Sequence, residues 1–283
     1  MQIDTRHSSG IRQWLAQIDR VLKANDMAEA SRLAGEALDL GYCHPAFFNL
    51  RAYGKRLQNR PEEALADLMR SQDLNPRSAW TLADIAECYS ALNRYRKALA
   101  AADAAIAVDR KYSRAWFQKG LAHQALTELD AARAAYLGAV QLEPTLGDAH
   151  ARLAAMAADQ GRFEEARHFA MAALAPPPGH PIAVLALVTT DMGEGRYEDA
   201  ERRLAVFLAR KDLSAPVRSV AITQLGDLRD IQGKTDEAFA AYSDARSLWA
   251  GFHVPQWRHG EFGREQALRL GAVLGSGAAG PHA

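Results

Sequence analysis

Few residues in this sequence have both the type and the spacing that catalysis or metal binding requires. Gly275, Gly277 and Gly280 spell the GxGxxG pattern of dinucleotide-binding loops, but that chemistry needs a preceding strand and a following helix N-terminus to hold a pyrophosphate. The Gly/Ala composition of this stretch predicts a flexible tail instead. His253 and His259 are the best-placed histidine pair, and a zinc site would need further ligands. We therefore predict neither a cofactor nor a metal site.

The remaining composition argues against several other classes of function. The sequence has no nucleophile elbow, no phosphate-binding loop with its lysine and no HExxH run, so we predict that the protein is not an enzyme. Cys43 and Cys88 are too few for a disulfide scaffold, and we expect both to be small buried residues. Basic and acidic residues number 34 each, which removes any overall attraction to nucleic acid.

Two further features concern the compartment. The first residues lack the apolar run of a secretory signal. The longest apolar stretch, 169–190, contains four prolines that a membrane-spanning helix would not accommodate. These features predict a cytoplasmic protein whose partner is neither a membrane nor nucleic acid.

Alanine recurs at one spacing along most of the chain, which indicates an array of structural repeats. The intervals are 34 residues five times running and 38 in the last step, for Ala30, Ala64, Ala98, Ala132, Ala166, Ala200 and Ala238. A fixed period of this length is typical of repeats that are each one supersecondary unit. The period predicts an N-terminal extension over 1–10 and seven repeats, at 11–44, 45–78, 79–112, 113–146, 147–180, 181–218 and 219–250.

Each repeat is predicted to contain two short helices. Position 15 of the repeat is occupied mainly by residues that tolerate the left-handed conformation of a helix end, namely Asn25, Asn59, Asn93, Thr127, Gly161, Gly195 and Gly233. Pro76, Pro144 and Pro178 mark a second break near position 32. Position 27 is small except at Phe207, and it shares one face of the second helix with the alanine series. Small side chains at these positions would let helices approach closely.

This combination resembles the tetratricopeptide repeat family, whose pattern has an aromatic or large apolar residue early in the first helix, small residues at fixed positions and a proline near the end. The resemblance covers residues 11–250 and is strongest in the fourth repeat, through Trp116, Gly120, Leu129, Ala132, Tyr136, Ala139 and Pro144. It implies an all-α, right-handed solenoid of seven helix-turn-helix repeats. We expect a C-terminal aromatic segment and capping helix over 251–274, and a flexible tail over 275–283.

The resemblance also places the first helix of each repeat on a concave groove. In the middle repeats this groove would combine aromatic and hydrogen-bonding side chains, which are Asn49, Tyr53, Arg56, Trp80, Arg114, Phe117, Gln118 and Arg152. Aromatic anchors and polar groups of this kind suit an extended peptide, so we predict an interaction adaptor that binds a protein or peptide of unknown identity. Some of the aromatic residues would instead pack between first helices. The carboxylate clamp of the chaperone-binding members is not reproduced, because Leu15 and Asp19 replace two of its residues.

The first helix of the sixth repeat is predicted to be apolar on every side. Its groove-facing residues are Ile182, Leu185, Thr189 and Met192, and an apolar patch of this kind needs a cover. The cover could be the segment 251–274, a bound partner, or a second copy of the chain, which would make the protein a self-assembling scaffold.

The stretch 225–249 resembles the last repeat of bacterial proteins that join tetratricopeptide repeats to a sulfotransferase domain. That domain's phosphosulfate loop, which reads roughly RSGTT, does not occur in this sequence. The resemblance therefore implies, as an alternative function, a substrate-recruiting region that works with a sulfotransferase or another modifying enzyme.

Overall fold

The computed structural model describes residues 5–175 and 179–253, and all the regular structure in these ranges is helical. The helices follow one another in pairs that are joined by short turns. They are α1 (Thr5–Lys23), α2 (Met27–Asp39), α3 (Pro45–Leu57), α4 (Pro61–Leu74), α5 (Ala79–Ala91), α6 (Tyr95–Val108), α7 (Ser113–Ala125), α8 (Leu129–Leu142), α9 (Gly147–Asp159), α10 (Phe163–Leu174), α11 (Pro181–Gly193), α12 (Tyr197–Leu208), α13 (Ala215–Ile231) and α14 (Thr235–His253). The predicted all-α architecture of paired short helices is confirmed.

The two ends of the array differ from the sequence expectation. Helix α1 begins at Thr5, inside the range predicted as an N-terminal extension, and α14 continues to His253, beyond the predicted last repeat. The rest of the predicted capping segment, the GxGxxG tail and His259 lie outside the described residues. The stretch that resembles sulfotransferase-linked repeats forms the end of α13 and most of α14, and a recruiting role for it stays a prediction.

The turn inside each pair has the conformation that the sequence predicts. All seven residues at position 15 have positive φ angles, between 55° and 74°, including the β-branched Thr127 at 63°. After each of them, the next backbone N–H closes the first helix with a bond to a carbonyl five residues earlier, as Arg94 does to Tyr89 at 2.8 Å. This bond satisfies a carbonyl at the helix end. The turn therefore depends on backbone geometry and on residues that accept it.

The alanine series lies at the contacts between helices, as predicted. Six of its seven members are completely buried, and Ala238 is 2% exposed. The residues at position 27 are buried as well, including Phe207 at 2% exposure. Because an alanine side chain keeps neighbouring backbones close, each second helix can pack against first helices on both sides.

Glycine allows an equally close approach on several first helices. A Cβ atom added to Gly120 of α7 would lie 2.4 Å from Cε1 of Tyr136 in α8. Tyr136 is completely buried, and its hydroxyl donates a hydrogen bond to Gln124 Oε1 at 2.7 Å. The same arrangement recurs in the last pair, where a Cβ on Gly226 would lie 2.6 Å from Tyr242. Each tyrosine ring thus occupies the space that the glycine leaves open.

The chain divides into two compact units, Met1–Met156 and Ala157–Ala283. In the first unit, α2 packs on α3, α4 on α5 and α6 on α7, and α5 also contacts α7. In the second unit, α10 packs on α11, and α11 contacts both α12 and α13. In these pairs the second helix therefore contacts the first helix of the following pair.

The two cysteines have different surroundings. Cys88 is buried in a core cluster with Leu65, Leu68 and Ile85, and this burial raises the pKa of its thiol to about 12. Cys43 is exposed, so the expectation that both are buried was wrong for this residue. Its position in the loop between α2 and α3 explains the difference, since connecting loops lie on the surface.

We expect Gly120→Ala to lower the free energy of unfolding by about 1–3 kcal/mol, because the added methyl group overpacks the contact with a buried ring that has no room to move. Urea unfolding followed by helical circular dichroism measures this. The matched control is Gly147→Ala, where an added Cβ meets nothing within 4 Å. That change should be neutral or slightly stabilising, and equal losses from both variants would contradict the packing argument.

We expect Thr127→Asn to raise the free energy of unfolding by about 1 kcal/mol, because a β-branched residue is strained at positive φ and asparagine tolerates it. The reverse change in the preceding repeat, Asn93→Thr, should lower stability by a similar amount. Thermal unfolding of both variants tests the pair. If Thr127→Asn instead lowered the free energy of unfolding, the contacts of the threonine side chain would stabilise the protein by more than its backbone strain destabilises it.

Candidate functional site

The predicted groove residues lie on the first helices of the first unit. Helix α3 carries Asn49, Tyr53 and Arg56, helix α5 carries Trp80, helix α7 carries Arg114, Phe117 and Gln118, and helix α9 carries Arg152. Polar contacts connect α3, α5 and α7 directly. We call the surface formed by these three helices the first-helix surface.

An ion-pair network joins the three helices of this surface. Arg56 from α3 and Arg114 from α7 both contact Oδ1 of Asp84 on α5, at 3.0 and 2.9 Å. The same two guanidinium groups lie 2.5 Å from the two carboxylate oxygens of Glu87. Both arginines were predicted to be binding residues, whereas Asp84 was not. The available signal was the spacing of Asp84 and Glu87, one helical turn apart on α5 between the two arginines.

Burial and charge act against each other in this network. Burial is the largest influence on Asp84 and raises the pKa of its carboxyl group, while Arg114 and Arg56 act to lower it. For Arg114, burial acts to lower the pKa of the guanidinium, but Asp84 and Glu87 outweigh it and the pKa is raised. Two arginines and two carboxylates have no net charge when all are ionised. The network therefore offers fixed hydrogen-bonding groups and no excess charge.

The two predicted amide residues are buried. The side-chain amide of Asn49 donates a hydrogen bond to Thr81 Oγ1 at 3.2 Å, which connects α3 to α5. Gln118 is 3% exposed, and its Nε2 lies 3.5 Å from Glu87. Its Oε1 atom is buried and accepts no hydrogen bond from the residues that the structure describes. Asn49 thus has a structural role, whereas Gln118 retains an unused acceptor.

The three predicted aromatic anchors differ in exposure. Trp80 is 49% exposed, near the start of α5. Tyr53 is half-buried, with Cζ of Arg56 6.0 Å from its ring centre. Phe117 is half-buried against Tyr136, with ring centres 5.7 Å apart. Packing between helices therefore accounts for Phe117, and Trp80 is the aromatic side chain with the most surface to offer.

Arg152 contributes least to this surface. It lies on α9 and is half-buried. Its positive charge acts on the hydroxyl of Tyr136. Burial raises the pKa of the Tyr136 hydroxyl, and the charge of Arg152 acts in the opposite direction. Arg152 is thus placed beside α8 rather than beside the network of Arg56 and Arg114.

The predicted apolar patch of the sixth repeat is largely covered by neighbouring helices. Leu185 is buried in a core cluster with Val188, Leu204 and Leu228, which come from α11, α12 and α13. The hydroxyl of Thr189 accepts a hydrogen bond from Gln224 of α13 at 2.9 Å. Leu185 is therefore not available to a partner. Ile182 and Met192 remain partly exposed, and self-assembly through this face stays a prediction.

Within 5–175 and 179–253, no helix is both long and apolar enough to cross a membrane. In the same ranges, no group of three His, Cys, Asp or Glu side chains is arranged to hold a metal ion.

Comparison with known proteins identifies the repeat. Residues 113–146 match the family model described as tetratricopeptide repeat. The curated RNA polymerase II-associated protein 3 of Rattus norvegicus is 26% identical over 156 residues, which are 55% of this chain and 22% of that protein. The chain thus spans less than a quarter of that relative's length.

Solved structures show the same fold. A crystallised tetratricopeptide repeat protein from Parabacteroides merdae has a TM-score of 0.60 at 15% identity, over 85% of this chain and 93% of its own. A chain of the APC/C hetero-tetramer Cut9–Hcn1 has a TM-score of 0.65 at 15% identity, over 83% of this chain and 46% of its own. Residues 113–146 are thus a tetratricopeptide repeat, and the chain has the fold of tetratricopeptide-repeat proteins.

Proposed function

We propose that this chain is a non-catalytic adaptor that binds an extended segment of a partner protein on the first-helix surface. The observation that carries the proposal is the half-exposed Trp80 on α5, the same helix whose Asp84 and Glu87 fix the guanidinium groups of Arg56 and Arg114. An aromatic anchor near fixed hydrogen-bonding groups is typical of surfaces that bind protein segments.

Trp80 supplies the apolar part of the binding energy. A tryptophan side chain buries about 150–250 Å² when it is covered, and about half of this side chain is still exposed. At roughly 25 cal/mol per Å², covering the remainder contributes about 2–3 kcal/mol. This amount is typical of a single binding hot spot.

The ion-pair network supplies orientation. Each guanidinium has five N–H donors, and the contacts with Asp84 and Glu87 hold both groups in place. Donors that remain can bind carbonyl groups of an extended backbone. Because these groups are already ordered, binding loses less conformational entropy.

The neutrality of the network also limits the partner. A segment that carries a carboxylate would compete with Asp84 and Glu87 for the same arginines, and a segment that carries lysine would be repelled by them. The surface therefore favours an uncharged segment with one large apolar side chain. Binding of such a segment should depend only weakly on salt.

We expect Trp80→Ala to reduce capture of the partner from a lysate of the source organism by at least about tenfold, which corresponds to roughly 1.4 kcal/mol. The matched control is Met69→Ala, because Met69 is a large apolar side chain on α4 with 48% exposure. Both variants should unfold at the wild-type temperature. Partners are identified as proteins captured by wild type and by the control.

The salt dependence provides a second test of the same proposal. Capture by wild type should persist when the salt concentration is raised several-fold, because no excess charge contributes to binding. Equal capture by wild type and Trp80→Ala, or loss of the partner at moderate salt, would contradict binding at the first-helix surface.

A further inference from the structure

Helix α12, in the second unit, departs from the repeat pattern at one small position. Position 27 is alanine or serine in the other six repeats and phenylalanine at Phe207. The ring is 2% exposed and belongs to the core cluster that includes Leu204 and Leu228. A phenylalanine requires more space than an alanine between helices.

An open cleft of about 370 Å³ lies beside this departure. The apolar part of its lining consists of Val184, Val206 and Phe207, the basic part consists of Arg202, Arg203 and Arg210, and Asp199 is the one acidic residue.

One residue of the apolar wall is largely accessible to solvent. Val206 is 70% exposed, although it lies on a helix whose neighbouring residues Leu204 and Phe207 are buried. The guanidinium carbon of Arg210 lies 5.6 Å from the centre of the Phe207 ring. An apolar side chain placed on Val206 would therefore lie next to a positive charge.

The arginines are held in place by carboxylates. Arg203 contacts the buried Asp191 at 3.0 Å, and Arg210 contacts Asp212 at 2.6 Å. Arg202 contacts Asp199 at 3.2 Å and is 74% exposed. Arg202 is thus the cleft arginine with the most accessible guanidinium, and it has five N–H donors in total.

The charges around the cleft leave a small positive excess. Asp191 also binds two further arginines, Arg167 and Arg196, which share Glu194. The cleft arginines and the groups connected to them comprise five arginines and four carboxylates. The arginines are Arg167, Arg196, Arg202, Arg203 and Arg210, and the carboxylates are Asp191, Glu194, Asp199 and Asp212. The excess is one positive charge. One additional carboxylate would balance it, whereas a phosphate, with a charge near −2, would exceed it.

We propose that this cleft binds a segment of a protein in which an acidic residue follows or precedes a large apolar residue. The apolar side chain packs on the exposed Val206 and the partly exposed Val184, and the carboxylate pairs with the exposed guanidinium of Arg202. This site lies on the second unit and uses none of the residues of the first-helix surface. It takes an acidic segment, whereas that surface takes an uncharged one.

The test measures fluorescence anisotropy of a labelled short peptide that contains one phenylalanine next to one aspartate among glycines and serines. We expect wild type to bind this peptide, and Arg202→Glu to weaken binding by at least about tenfold, because the charge that pairs with the aspartate is reversed. Val206→Ser should weaken binding as well. The matched control is Arg70→Glu, an identical charge change at an exposed residue of α4, and it should leave the affinity unchanged.

Variant peptides separate the possible ligands. Replacement of the aspartate by asparagine, or of the phenylalanine by glycine, should each weaken binding by a similar factor. The proposal is overturned if the peptide does not bind at millimolar protein concentration, if the asparagine peptide binds equally well, or if Arg202→Glu binds as wild type does. Displacement of the peptide by an equal concentration of inorganic phosphate would also overturn it, because the cleft would then be a general anion site.

Discussion

The structure depends on the close approach of helices at positions where the side chain is very small. A pair of short helices cannot bury its own apolar face, so it is stable only when the next pair covers it. The buried alanine series and the glycine of the Gly120–Tyr136 contact allow that cover. Most helices pack against neighbours in this way, so few side chains remain available to a partner. In one unit the exposed Trp80 remains, and in the other the arginine-lined cleft remains.

The features that the sequence predicted correctly are those set by backbone conformation and by side-chain size. Positive φ at position 15 and burial of the alanine series follow from properties of single residues, and both can be recognised from a repeating pattern. Thr127 shows how strong the pattern is, since the turn keeps its geometry with an unfavourable residue. Such features were predictable because the same packing problem is solved seven times along the chain.

The site was harder to predict because its contacts connect residues about thirty positions apart. Asn49 and Trp80 were both predicted to be groove residues. The side chain of Asn49 is hydrogen-bonded to Thr81 of the following repeat, whereas Trp80 is half-exposed to solvent. Asp84 was not predicted because it is buried. A buried carboxylate is stable only when it is paired with a cation, and its two arginine partners lie on other helices. Leu185 was assigned to a surface although the following repeat covers it. In each case the deciding neighbour belongs to another repeat.

The network of Arg56, Asp84, Glu87 and Arg114 has a consequence for cooperativity. In an ideal stack of repeats, stability is a sum of terms for each repeat and for each adjacent pair. Here one carboxylate is shared by arginines from the repeats on both sides of it, so the second, third and fourth repeats are coupled by a three-body term. Local opening of any one of them leaves a buried charge in another. This part of the chain should therefore open and close as a single unit, which keeps the proposed binding surface intact while the ends of the array fray.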